Sequence, residues 1–217
     1  MKYNIKYSKR KTISISVDED GSVLVKAPYK VTIGEVEKVL AKHSKWIEKK
    51  IIQVKNREKL PEDIILFLGE EKKLNINIQK NLNKEYILYA NDEFTAYVTC
   101  KEHVKVVLKR YLIEVARNVI NKKIKKYSLK LGVSPNTIRM KDTKTRWGSC
   151  SYVNNLNFNY RLIMAREDVL EYVVLHEMCH IIYKNHSAEF YSLIESMMKD
   201  YREKEIYLRE NGYKMQI

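Results

Sequence analysis

Apolar positions alternate with polar ones at the start of the chain. Ile13, Ile15 and Val17 point one way, Asp18-Glu19-Asp20-Gly21 turns the chain, and Val23, Val25 and Ala27 alternate on the return, the pattern of a β-hairpin. The period then changes. Thr32-Ile33-Gly34-Glu35 fits a capping box, and Val36, Val39, Leu40, His43, Trp46, Ile47 and Ile51 follow at helical spacing. His43 and Trp46 lie on that stripe, so they are expected in or near the core. Pro61-Glu62-Asp63 closes the helical region, and strand-like runs follow at Ile64–Leu68, Leu74–Ile78, Tyr86–Tyr89 and Phe94–Thr99. The expectation for residues 1–99 is an antiparallel β unit with one inserted helix.

Near residue 101 both composition and period shift, which suggests a first domain over 1–100 and a second over 101–217. A long amphipathic helix is expected to about Leu131, with Val104, Leu108, Tyr111, Leu112, Val115, Val119 and Ile124 inward and Gly132 as its C′ residue. Ile138 and Met140 suggest a strand. Leu156, Phe158, Tyr160 and Leu162 alternate with polar neighbours, which predicts a half-buried strand through Ile163. A helix follows from about Glu167, and a last one begins after Ser187, a good N-cap, with Leu193, Ile194, Met197, Tyr201 and Leu208 as its packing face. The fold class is therefore α+β, with strands concentrated early and helices late.

The helix from Glu167 carries the chemistry. Its end reads His176-Glu177-Met178-Cys179-His180, and His186 stands six residues further on. Histidines four apart share one helical face with Cβ atoms about 5–6 Å apart, which lets two imidazoles grip one Zn²⁺. A third histidine beyond the helix end closes the site and leaves a position open for water, the catalytic rather than the sealed structural arrangement. The apolar run Tyr172-Val173-Val174-Leu175 gives such a helix a core to lean on. One zinc ion per chain on His176, His180 and His186 would lower the pKa of a bound water, and Glu177 would take its proton as general base. Amide hydrolysis fits these parts, with a protein or peptide as substrate. For the oxyanion donor the candidates are Tyr183, Arg146, Arg161 and Tyr191, none favoured by spacing. Glu189 is a candidate acceptor behind a ligand histidine, although a solvated surface role suits it as well. Cys179 and Cys150 read as packed residues. A strand directly ahead of the metal helix suggests a sheet edge at Asn157–Ile163 on which an extended polypeptide could pair; a central position for that strand would refute this.

Composition adds limits. Three cysteines, Cys100, Cys150 and Cys179, make no disulfide framework, no long apolar run suggests a membrane span, and the first residues hold no signal-peptide core. A cytoplasmic location is the expectation, and no oligomeric state is readable. The net charge of +14 attracts polyanions. Between 101 and 130 Lys101, Lys105, Lys109, Arg110, Arg117, Lys122, Lys123, Lys125, Lys126 and Lys130 face only Glu102 and Glu114. Nucleic acid is the candidate partner for such a surface, but an ordinary solvated helix face would carry the same lysines, and the excess of lysine over arginine favours it.

The motif run Thr145-Arg146-Trp147-Gly148-Ser149-Cys150-Ser151, the strand Leu156–Ile163, Tyr172–His180, Asn185-His186-Ser187 and Phe190 together resemble the YgjP-like metallopeptidase family. Lys9–Val17, the Gly21 turn, Ala27-Pro28 and Trp46-Ile47 resemble that family's first half, so the resemblance spans nearly the whole chain. That family is similar to SprT/Spartan-type proteases with a zincin-type fold. The resemblance implies a zincin-like catalytic domain over 101–217, zinc on His176, His180 and His186, and Glu177 as base. Metzincins share only the ligand spacing: they place a glycine where Tyr183 stands, so the turn back to His186 needs another device, and Asn185 tolerates a left-handed backbone. The leading reading is a zinc metallopeptidase. The alternatives are a basic nucleic-acid-associated protein whose zinc is structural or vestigial, and a protease recruited to DNA-bound proteins.

Overall fold

Tyr3, Ile5 and Tyr7 alternate with polar residues and form a first strand, β1 (Tyr3–Ser8), which the pattern reading passed over. The computed structural model describes residues 2–18, 20–57, 60–143 and 145–217, and their contacts fall into two compact units, 1–59 and 60–217. In the first unit the expected hairpin forms as β2 (Ser14–Val17) and β3 (Val23–Pro28). Gly21 takes φ +83°, and Asp18 and Ser22 close the turn with a 2.9 Å backbone bond; Glu19 of that turn lies outside the described residues. β3 is central, antiparallel to β2 but parallel to β1. Its Val23, Val25 and Ala27 are buried against Val36, Leu40 and Ile47.

Those three residues come from two helices, not the single one expected. α1 (Ile33–Lys42) starts on the predicted capping box: Thr32 Oγ1 accepts from the Glu35 N–H, and a Glu35 carboxylate oxygen accepts from the Thr32 N–H. It stops at His43 (φ −106°, ψ 12°), and α2 (Ser44–Lys55) begins there. The break resets the helical phase. Ile47 and Val54 turn inward, while His43 and Trp46, expected in the core, are exposed.

The second unit opens with β4 (Ile64–Phe67), β5 (Glu70–Ile78), β6 (Tyr86–Ala90) and β7 (Glu93–Val98), in the order β4-β5-β7-β6. The strands stand where the alternation put them. The sheet is mixed, since β5 and β7 run parallel, whereas pure antiparallel pairing was expected; strand order is set by long-range packing that a local pattern does not carry. Leu74, Ile87, Phe94, Ala96 and Val98 share one core with α3 (Val104–Leu131). That shared core puts the division of contacts at 59/60 and not at the compositional change near 101. α3 buries Val104, Leu108, Leu112 and Ile124 as expected, and also Val107, Ala116, Ile120 and Tyr127; Gly132 ends it with φ +66°.

β8 (Thr137–Lys141), β9 (Gly148–Cys150) and β10 (Asn155–Asn159) make a three-stranded sheet with β10 in the middle, parallel to β8 and antiparallel to β9. The edge expected at Asn157–Ile163 is therefore not there. Nor does the strand continue to Ile163: the Asn159 side chain accepts from the Arg161 N–H and starts a 3-10 turn over Tyr160–Met164. α4 (Glu167–Ile182) begins at the predicted residue and is buried over most of its surface. Ser187 caps α5 (Ala188–Met197) as expected, but the helix breaks before α6 (Tyr201–Asn211). No helix among the described residues is long and apolar enough to cross a membrane.

α3 and α4 are tied by charge as well as packing. Glu171 accepts from Lys123 Nζ (2.7 Å), Tyr127 Oη (2.9 Å) and Lys126 Nζ. Burial alone would raise its pKa, but these hydrogen bonds outweigh it and hold the carboxyl down to about 2. The folded value lies below the unfolded one, so this contribution is complete above the ordinary glutamate pKa and fades as pH falls toward 2. In urea unfolding wild type is expected to exceed Glu171→Gln by about 2 kcal/mol at pH 6, with the gap closing by pH 2–3; a constant gap would refute the account. The same bonds bear on the basic surface. Lys101, Lys109, Arg110, Lys123 and Lys126 all engage acidic side chains or a carbonyl of this chain, which favours a structural use of much of that charge.

Candidate metal centre

The last turns of α4 carry His176 and His180 on one face, as their spacing requires. The helix stops at Tyr183, whose backbone is extended (φ −115°, ψ 109°), and the chain returns in time to present His186 just before the Ser187 cap. Asn185 is not among the described residues with positive φ; the extended Tyr183 makes the turn instead of a left-handed residue. Beneath the three imidazoles lies Phe190, fully buried, its ring centroid 5.0 Å from that of His176, 4.4 Å from that of His180 and 5.0 Å from that of His186.

His186 Nε2 lies 3.1 Å from His176 Nε2 and 3.2 Å from His180 Nε2. Hydrogen bonds on the far side of two rings say what those atoms carry. His180 Nδ1 is 2.9 Å from the Tyr183 carbonyl, which can only accept, so Nδ1 holds the proton and Nε2 a lone pair. His176 Nδ1 is 3.3 Å from Tyr172 Oη, and that hydroxyl spends its own hydrogen on Glu205 Oε1 at 2.6 Å. Two lone pairs thus converge on the third imidazole. Tetrahedral ligands at zinc–nitrogen distances of about 2.0–2.1 Å stand about 3.3 Å apart, so the set fits a zinc ion. Burial, then the neighbouring imidazoles, hold His176 down to about 3, and burial also lowers His180. Both rings are neutral at pH 7, the form that binds metal.

Glu177 turns away from that face toward β9. It is 5% exposed, burial pushes its carboxyl up to about 8 against the pull of Arg146, and its Oε2 has no hydrogen-bond partner among the described residues. Gly148 makes room for it: a Cβ at that position would lie 2.5 Å from Glu177 Oε1.

The remaining candidates divide. Arg146 is close enough for its charge to act on Glu177, and Tyr191 stacks on His186 at 6.0 Å. Arg161 is bound to Asp142 at 2.5 Å and covers Tyr160, so it is engaged elsewhere. Tyr183 serves through its carbonyl. Glu189 bonds to Ser187 in the first turn of α5, and the carboxylate behind a ligand histidine is Glu205, reached through Tyr172. Cys179 is fully buried, its thiol pushed up to about 12 by burial, and Cys150 is half-buried near Lys184. Sequence reasoning missed the roles of Tyr172, Glu205 and Gly148. Tyr172 had a signal, since it stands one helical turn before His176; Glu205 had none.

A protein-family model described as YgjP-like, metallopeptidase domain, matches residues 11–211. A search of curated proteins gave no match.

Proposed function

The chain belongs to the YgjP-like metallopeptidase family, and from that premise we propose that it is a zinc-dependent peptidase with His176, His180 and His186 as ligands and Glu177 as general base. The observation that carries this reading is the pairing of three converging imidazole nitrogens with a buried carboxylate whose Oε2 is unpartnered among the described residues. A zinc ion held there supplies Lewis acidity, acidifying water and polarising the substrate carbonyl. Glu177 takes the proton of the attacking water and returns it to the departing amine. Arg146 is the favoured donor for the oxyanion among the four candidates, because its charge already bears on Glu177.

For the substrate backbone we assign the outer edge of β9. That strand pairs only with β10 among the described residues, and its Gly148 touches Glu177. An extended polypeptide added there would pass beside the base.

The test is elemental analysis together with hydrolysis of an unstructured protein substrate. Wild type is expected to hold about one zinc per chain, and His186→Ala to lose or weaken it. Hydrolysis is expected to stop with chelator and return with added zinc. Wild type that holds no zinc and shows no chelator-sensitive hydrolysis would overturn the reading.

A further inference from the structure

We propose that Glu205, acting through the Tyr172 hydroxyl, decides which nitrogen of His176 carries the proton and so keeps the Nε2 lone pair aimed at the metal position. The inference rests on the metallopeptidase reading for its purpose, but not for its geometry. A carboxylate only accepts hydrogen bonds, and a phenol has one hydrogen to give. Tyr172 gives it to Glu205 Oε1 at 2.6 Å. Toward His176 Nδ1, 3.3 Å away, the same oxygen can then only accept. The proton is thereby assigned to Nδ1, and Nε2 is left bare where it faces His186 Nε2 at 3.1 Å.

The two helical ligands are oriented by different means. For His180 the acceptor is the Tyr183 main-chain carbonyl, which no side-chain substitution removes. For His176 it is a two-residue relay reaching from α4 to α6. Tyr172 is only 4% exposed, so water has little access to the relay's centre. α6 is docked onto α4 by Lys204, which bonds Asp168 at 2.9 Å, and by stacking of Tyr201 on Tyr172. A helix with no metal ligand of its own thus becomes a positioning element of the metal centre.

Two readouts test this: the ¹⁵N chemical shifts of the His176 ring in the metal-free full chain, which report its tautomer, and zinc affinity by competition with a chromophoric chelator. Wild type is expected to show the Nδ1–H form. Tyr172→Phe removes one oxygen and keeps the ring, so the fold should persist while both tautomers become populated and zinc binding weakens about 10–100-fold. Glu205→Gln still offers an acceptor oxygen and should stay within a few-fold of wild type. Glu205→Lys offers only donors, so it should turn the Tyr172 hydrogen onto Nδ1 and drive His176 to the Nε2–H form. Glu205 is exposed, so this variant carries the test should Tyr172→Phe fail to fold. An Nε2–H form in wild type, or an unchanged tautomer in folded Tyr172→Phe and Glu205→Lys, would overturn the relay. Wild type that binds no zinc would count against the peptidase reading instead, while the tautomers of the metal-free protein would still decide the relay.

Discussion

Glu177→Gln is expected to keep its zinc and to lose about 10²–10⁴-fold in turnover. The amide matches the carboxylate in shape and leaves all three imidazoles untouched, so metal content should match wild type. It cannot accept a proton from water, so the loss should fall on kcat with KM little changed. Stability supplies a second signature. Glu177 is buried with one oxygen unpartnered among the described residues, so at neutral pH the folded protein must hold a charge out of water or take up a proton, a cost that an amide escapes although it still forgoes its own solvation. The metal-free variant should therefore melt at or above the wild-type temperature, activity and stability moving in opposite directions. His180→Ala behaves differently, losing zinc and activity together. Full turnover in Glu177→Gln would sink the general-base assignment, and loss of its zinc would show that the carboxylate helps hold the ion.

How far such a site is legible in sequence depends on how local its determinants are. The His176–His180 pair, the Glu167 start of α4, the Thr32 capping box, the Ser187 cap and the Gly132 stop are all set within a few residues, and each stands where the pattern put it. The failures have a different character. α2 exists because the chain breaks at His43 within a continuous apolar stripe, and the strand through Phe158 ends because the Asn159 side chain captures the next backbone N–H. Alternation continues through both breaks and so conceals them. The parallel pairings of β1 with β3 and β5 with β7 depend on contacts distant in sequence. So does the metal centre's supporting layer: Glu205 reaches His176 from 29 positions away through Tyr172. Gly148 was visible as part of a motif, but its function is defined by Glu177 on another element.

That last contact gives the second large effect. In Gly148→Ala the new Cβ would stand 2.5 Å from Glu177 Oε1, 2.6 Å from Cγ and 2.8 Å from Cδ, all well inside van der Waals contact. The strand cannot easily retreat, since Gly148 is in register with Phe158 on β10, and Phe158 is fully buried. The carboxylate is enclosed as well. One of them must move, which is expected to destabilise the protein by about 1–3 kcal/mol and, by displacing the base about an ångström, to reduce turnover on the order of 10²-fold. Zinc should remain, because the methyl group meets Glu177 and not the imidazoles. A double-mutant cycle separates this from a general weakening of β9. In a Glu177→Ala background the obstructing atoms are gone, so adding Gly148→Ala should cost far less stability than it does alone. Equal costs in the two backgrounds would mean that the glycine serves the strand and not the base.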